Sequence, residues 1–127
     1  MNEEWKDIKG YEGLYQISNF GRVKSLARTI KYRQYTKETD EKIMKLILNK
    51  RGYLYAHLCK NGKYKWYRVH RLVAEAFVDN PYHKEQVNHI DRNVLNNKST
   101  NLEWCTNEEN MKHAKETGFR RCQLAKN

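Results

Sequence analysis

Asn61-Gly62 separates two segments of alternating character, residues 53–60 and 63–70, and it fixes more of the fold than any other neighbouring pair in the chain. Asparagine and glycine both accept the left-handed backbone that a two-residue type I′ turn demands, so these segments are expected to close as a β-hairpin. Pairing Lys60 with Lys63 sets the register. Because side chains alternate along a strand, one face then carries Leu54, Ala56, Leu58, Tyr67 and Val69, with Lys65 at the rim. The other carries Tyr53, Tyr55, His57, Tyr64, Trp66, Arg68 and His70. The first face reads as core and the second as a basic, aromatic platform.

Charge is as unevenly spread as polarity. Residues 31–71 hold 12 Lys and Arg against 3 Asp and Glu, whereas residues 1–30 hold 5 against 4 and residues 72–127 hold 8 against 8. Nearly all of the net charge of +10 therefore lies in the middle third, interleaved with tyrosines and Trp66. Basic groups neutralise phosphates and aromatic rings pack on bases or sugars, so a nucleic acid is the expected partner. Arg33, Lys45, Arg51, Lys63, Lys65, Trp66, Arg68, His70 and Arg71 are the expected DNA contacts. A plain solvated surface is the alternative, but it gives no reason for the excess to be confined to 41 residues.

A length of 127 residues suits one compact unit. No stretch approaches the ~20 continuous apolar residues that span a bilayer, and the acidic start is unlike a signal peptide, so no membrane partner and an intracellular location are expected. Cys59, Cys105 and Cys122 are odd in number and form no CxxC pair, which argues against a structural zinc or a disulfide framework and for reduced thiols.

Along the chain, residues 14–17 and 23–26 read as short strands joined by glycine turns, and residues 31–42 as an exposed arm or mobile loop. Residues 43–48 fit either strand or helix. Residues 70–77 suit a helix stopped by Asn80-Pro81, with Leu72, Val73, Ala76 and Phe77 on one side. The last third reads as a strand over 86–91, an Asn-rich loop, a strand over 102–105 and a helix. Thr106 and Glu109 have the spacing of a capping box for that helix, and Gly118 is placed to end it. If the helix packs across the hairpin by burying Met111, Ala114 and Trp104, the side chains of Asn88, His89 and Asn110 can converge.

The segments VHRLVAEAF, VNHID, NNKSTNLEW and NEENMKHA, in that order, strongly resemble HNH endonucleases of the ββα-metal finger type. The opening WKDIKGYEGLYQISNFGRVKSL resembles a modular motif found ahead of that nuclease in phage and intron-encoded homing endonucleases. Together these pieces cover residues 4 to about 114. The resemblance implies an α+β fold, with a β-rich DNA-gripping region over residues 1–71 and a ββα finger over 72–127. It implies that His89 is the general base, that Asn88 and Asn110 bind one divalent cation, Mg²⁺ or Mn²⁺, and that Asn101 braces the loop holding the base. His70 and Arg71 match a His-Arg pair ahead of the finger, structural or phosphate-facing.

The chemistry suits these residue types. Hydrolysis near neutral pH needs a base whose ordinary pKa lies close by, which histidine supplies. A hard cation offsets charge on the phosphoryl oxygens and needs few protein ligands, so two amide oxygens suffice once phosphate completes the shell. Some members carry Asp where this chain has Asn88, and a neutral amide should hold metal more weakly, so negligible affinity is expected without DNA. Asp91, Asn93, Asn96 and Asn97 read as turn residues. The expected activity is a metal-dependent endonuclease acting on double-stranded DNA as a monomer that nicks one strand. A DNA-binding module without turnover is the alternative, and an RNA-binding sheet is a third reading. Family members often add a helix-turn-helix module, for which the nine residues after Gly118 are too few. Residues 1–71 are therefore expected to carry sequence preference.

Overall fold

The computed structural model describes residues 2–117. Three short strands open the chain: β1 (Trp5–Asp7), β2 (Tyr15–Ser18) and β3 (Val23–Ser25). A hairpin follows, β4 (Arg28–Lys31) and β5 (Thr36–Thr39), and then β6 (Lys42–Ile43), which returns to pair with β3 in an antiparallel sheet of order β1-β2-β3-β6. The arm expected over residues 31–42 is therefore largely a hairpin, though an exposed one. Polar residues with no apolar alternation hide a strand from sequence reading, because cross-strand hydrogen bonds and the stacked rings of Tyr32 and Tyr35 hold it. The ambiguous segment after it is strand: β7 (Ile47–Leu48) pairs with the central hairpin.

That hairpin, β8 (Leu54–Lys60) and β9 (Lys63–Arg68), has Lys60 opposite Lys63, and both turn residues have positive φ, 54° at Asn61 and 75° at Gly62. Ala56 and Leu58 are fully buried on its inner face. The strand ends at Arg68, earlier than expected, and α1 (Val69–Phe77) begins at once. His70 is consequently a buried helical residue, not a member of the outer strand face, and Arg68 is buried as well, its Nε donating to the Tyr55 hydroxyl at 3.1 Å. Both departures share one cause: the chain must turn inward there for α1 to reach the core.

The remaining elements are β10 (Gln86–His89), a 3-10 turn (Ser99–Asn101), β11 (Leu102–Cys105) and α2 (Asn107–Thr117). β10 and β11 form an antiparallel ribbon that pairs Asn88 with Glu103 and His89 with Leu102. The capping box closes reciprocally: the Thr106 N–H donates to Glu109 Oε1 at 2.9 Å, and the Glu109 N–H donates to Thr106 Oγ1 at 3.1 Å. Gly118, expected to end α2, lies outside the described residues, and Met111, expected to be buried, is exposed. Cys59 is a free thiol, and Cys122 lies outside the described residues.

One apolar cluster joins these pieces. Tyr15, Ile17 and Val23 from the first sheet meet Ala56 and Leu58 from the hairpin, Val69, Leu72 and Val73 from α1, and Val87 and Leu102 from the ribbon. The fold is α+β, β-rich through its first half. α1 packs against the hairpin, the first sheet and the ribbon, and so sets the position of His89.

Candidate active site

β10 ends in two neighbouring polar residues, Asn88 and His89, that are 2% and 0% exposed. Burial of that kind is stable only with partners, so each hydrogen bond matters. His89 Nε2 lies 2.8 Å from Asn97 Oδ1. A carboxamide oxygen only accepts, so Nε2 carries the proton and Nδ1 is left with its lone pair. Nδ1 has no hydrogen-bond partner. Burial holds the imidazolium form of His89 below its ordinary pKa, partly offset by Asn97 and the Asp91 carboxylate, so the ring is neutral near pH 7.

Two rings wall this imidazole, His70 at 4.9 Å and Tyr53 at 6.3 Å between centroids. His70 is pushed down to about 2, first by burial and then by His89, Arg68 and Arg71. Two neighbouring cations are thereby avoided.

Asn88 turns to the other side of the ribbon. Its Nδ2 donates to Glu103 Oε1 at 2.5 Å, which orients the amide, and its Oδ1 is buried without a donor. The Gln86 Oε1, two residues earlier on the same face, is in the same condition. A bare, buried amide oxygen next to a carboxylate suits a hard cation, which takes oxygen ligands. Among the described residues, no group of three His, Cys, Asp or Glu side chains forms a metal cluster. Asn110 is 1% exposed in the first turn of α2, where the capping box fixes its position.

The loop between the strands is held by carboxamides. Asn101 Nδ2 donates to Asp91 Oδ1 at 2.9 Å and to the Asn96 carbonyl at 2.8 Å, while its Oδ1 accepts from the Asp91 N–H at 3.0 Å. Asp91 also accepts from the Asn93 N–H at 2.8 Å, as a turn-forming Asx residue does. Asn97, read from sequence as one more turn residue, is instead the residue that touches the imidazole.

A neutral buried histidine with one ring nitrogen locked and the other bare, at the end of a ribbon followed by a capped helix, occurs here within one of two matched segments. Residues 67–112 match the HNH endonuclease family, and residues 3–59 match the NUMOD4 motif. The chain thus carries an HNH endonuclease segment behind a NUMOD4 segment. It is 42% identical over 115 residues to DNA endonuclease I-HmuI of Bacillus phage SP01, covering 91% of this chain and 59% of that protein. It is 36% identical over 121 residues to an uncharacterized HNH endonuclease, L245, of Acanthamoeba polyphaga mimivirus, covering 95% of this chain and 32% of that one. A solved structure described as DNA binding and cleavage by the HNH homing endonuclease I-HmuI superposes with a TM-score of 0.74 at 42% identity, over 91% of this chain and 59% of that one. The chain thus spans less than two thirds of the length of these relatives.

In this HNH chain the residues expected to meet DNA separate into two groups. Arg33, Lys45, Arg51, Lys63, Lys65 and Trp66 are exposed. Trp66 stacks on His57 with centroids 4.0 Å apart and planes 5° apart, which makes a rigid two-ring ledge on the outer face of the hairpin. Arg68 and His70 are buried, and Arg71 is half-buried, its Nη1 donating to the Glu85 carbonyl at 2.8 Å and its guanidinium lying 5.5 Å from the Trp104 ring centroid. His70, against the His89 ring, and Arg71, against Glu85 and Trp104, stand at the ribbon, whereas Arg68 stays with Tyr55 on the hairpin. No helix among the described residues is long and apolar enough to cross a membrane.

Proposed function

We propose that the chain is a metal-dependent endonuclease that hydrolyses phosphodiester bonds of double-stranded DNA, acting as a monomer and nicking one strand. The observation that carries this reading is the bare Nδ1 of a neutral, oriented His89, with the bare Oδ1 of Asn88 at the preceding position of β10. The DNA binding and cleavage described for the solved HNH relative supports it.

In this reading His89 Nδ1 takes a proton from water as the water oxygen bonds to phosphorus, one ester P–O bond breaks with its electron pair on the departing oxygen, and that oxygen takes a proton from solvent. Nε2–H, held by Asn97, keeps the lone pair on the correct nitrogen throughout. Asn88 Oδ1 and the Asn110 carboxamide would hold one divalent cation, Mg²⁺ or Mn²⁺. When bound, that ion would offset charge on the phosphoryl and departing oxygens. Asn101 acts as a positioning residue by stiffening the loop. The imidazole is sealed by its neighbours, so hydrolysis requires the seal to open towards the phosphate. Residues 1–71 grip the duplex through Arg33, Lys45, Arg51, Lys63, Lys65 and Trp66, while Arg68, His70 and Arg71 support the finger of residues 72–127.

Supercoiled plasmid incubated with Mg²⁺ or Mn²⁺, and separately with chelator, tests the reading. Open circles that form before linear product, and only with the metal, are expected. Salt-sensitive binding with no scission under any metal would contradict hydrolysis and leave a DNA-binding module. Linear product arising as fast as open circles would contradict the monomeric nicking mode.

A further inference from the structure

The turn between β2 and β3 lies against the loop that holds His89. Ser18 Oγ accepts from the N–H groups of Phe20, at 3.1 Å, and Arg22, at 3.0 Å, so the turn is tight. The Asn19 carbonyl accepts the Ser99 N–H at 2.8 Å. Lys98 Nζ sits 5.7 Å from the centroid of the Phe20 ring. Gly21 has φ +90°, and a Cβ placed on it would fall 2.9 Å from Asn97 Cβ and 3.4 Å from the Asn97 carbonyl oxygen. Residues 19–21 thus meet residues 97–99 through a hydrogen bond, a cation over a ring and a close backbone approach. Asn97 in turn holds His89 Nε2.

Nothing in DNA gripping asks for this contact. The turn is on the opening module, yet it presses on the residue that decides which nitrogen of the imidazole is bare. Glycine is needed at position 21 twice over, for its left-handed backbone and for the missing Cβ. Asn19 extends the tie to the start of the chain, its Oδ1 accepting the Glu4 N–H at 2.8 Å.

We infer that the Ser18–Gly21 turn is a brace for the general base, with Gly21 and Asn97 as positioning residues, so that the opening module sets the tautomer and aim of His89 as well as touching DNA. The inference rests on the reading of His89 as base, but its structural half is measurable without cleavage. A misplaced base is slow because a shift of about 1 Å from productive geometry lowers rates on the order of 100-fold.

Two whole-chain variants press on the brace from opposite sides. Gly21→Ala adds the clashing Cβ. Ser99→Pro deletes the N–H that reaches Asn19, at the first position of a 3-10 turn after a Lys98 already extended at φ −65° and ψ 140°, a setting that tolerates proline. ¹⁵N-histidine spectra of the free protein report ring tautomers. The wild type should show His89 Nε2 protonated and Nδ1 bare. Both variants should shift those signals towards a mixed tautomer, bind duplex DNA within about twofold of wild type, and cut about 10- to 100-fold more slowly in single turnover. A folded variant with wild-type ring signals and wild-type cleavage overturns the brace. Should Gly21→Ala fail to fold, Ser99→Pro decides alone. If the wild type cuts no DNA, the nuclease reading falls, and the ring signals still decide whether the turn positions His89.

Discussion

Two buried histidines with depressed pKa values make the protein sensitive to acid. His70 is held down to about 2 by burial, then by His89 and the two arginines beside it. In the unfolded chain it titrates near ~6.5, so the unfolded state binds the extra proton first and stability falls as pH drops below that value. The contribution is complete above ~6.5 and is lost at up to about 1.4 kcal/mol per pH unit on acidification. Urea denaturation at pH 7.5, 6 and 5 should show this slope, and His70→Gln should reduce it. A second consequence concerns Asn88. Its Nδ2 bonds to the Glu103 carboxylate, so Asn88→Asp replaces a donor by a like charge. Thermal melts should show the variant less stable by about 1–3 kcal/mol in chelator, with much of the loss recovered in Mg²⁺ as the ion bridges two carboxylates. Equal melting with and without Mg²⁺ would count against a cation at this face. Asn97 was the residue least legible in the sequence. A pair of adjacent asparagines in a polar loop reads as turn chemistry, and only the fold brings the second of them against the imidazole.

Elements with their own local chemistry were the legible ones. The Asn61-Gly62 hairpin has its expected register because a type I′ turn admits little else, and the capping box at Thr106 forms because its two partners lie within one turn of each other. Thr106→Ala should accordingly lower stability by about 1 kcal/mol in chemical denaturation, and also weaken the placement of Asn110. Hairpin β4–β5 was not legible, since it has one exposed, polar surface and no apolar stripe. Nor was the switch from β9 to α1, because its position is set by packing: Val69 and Val73 must reach the core, and that swings His70 inward while the strand alternation alone would have kept it outward.

The described residues present charge and aromatic rings on one hairpin and a buried, carboxamide-rich ribbon that also packs on α1, joined through an apolar cluster. Binding and hydrolysis should therefore separate. Lys63→Ala with Lys65→Ala should weaken duplex binding and flatten the dependence of log Kd on log salt by about 2, leaving the single-turnover rate at saturating protein near wild type. An unchanged salt slope would remove the hairpin from the DNA interface. Removal of the base should do the reverse. The most direct test is single-turnover nicking of intact supercoiled plasmid by His89→Ala in Mg²⁺, with binding measured in parallel and free imidazole added to fill the space left by the ring. Wild-type binding, cleavage at least about 100-fold slower and partial restoration by imidazole are predicted. Cleavage by His89→Ala at the wild-type rate would contradict the role given to that imidazole.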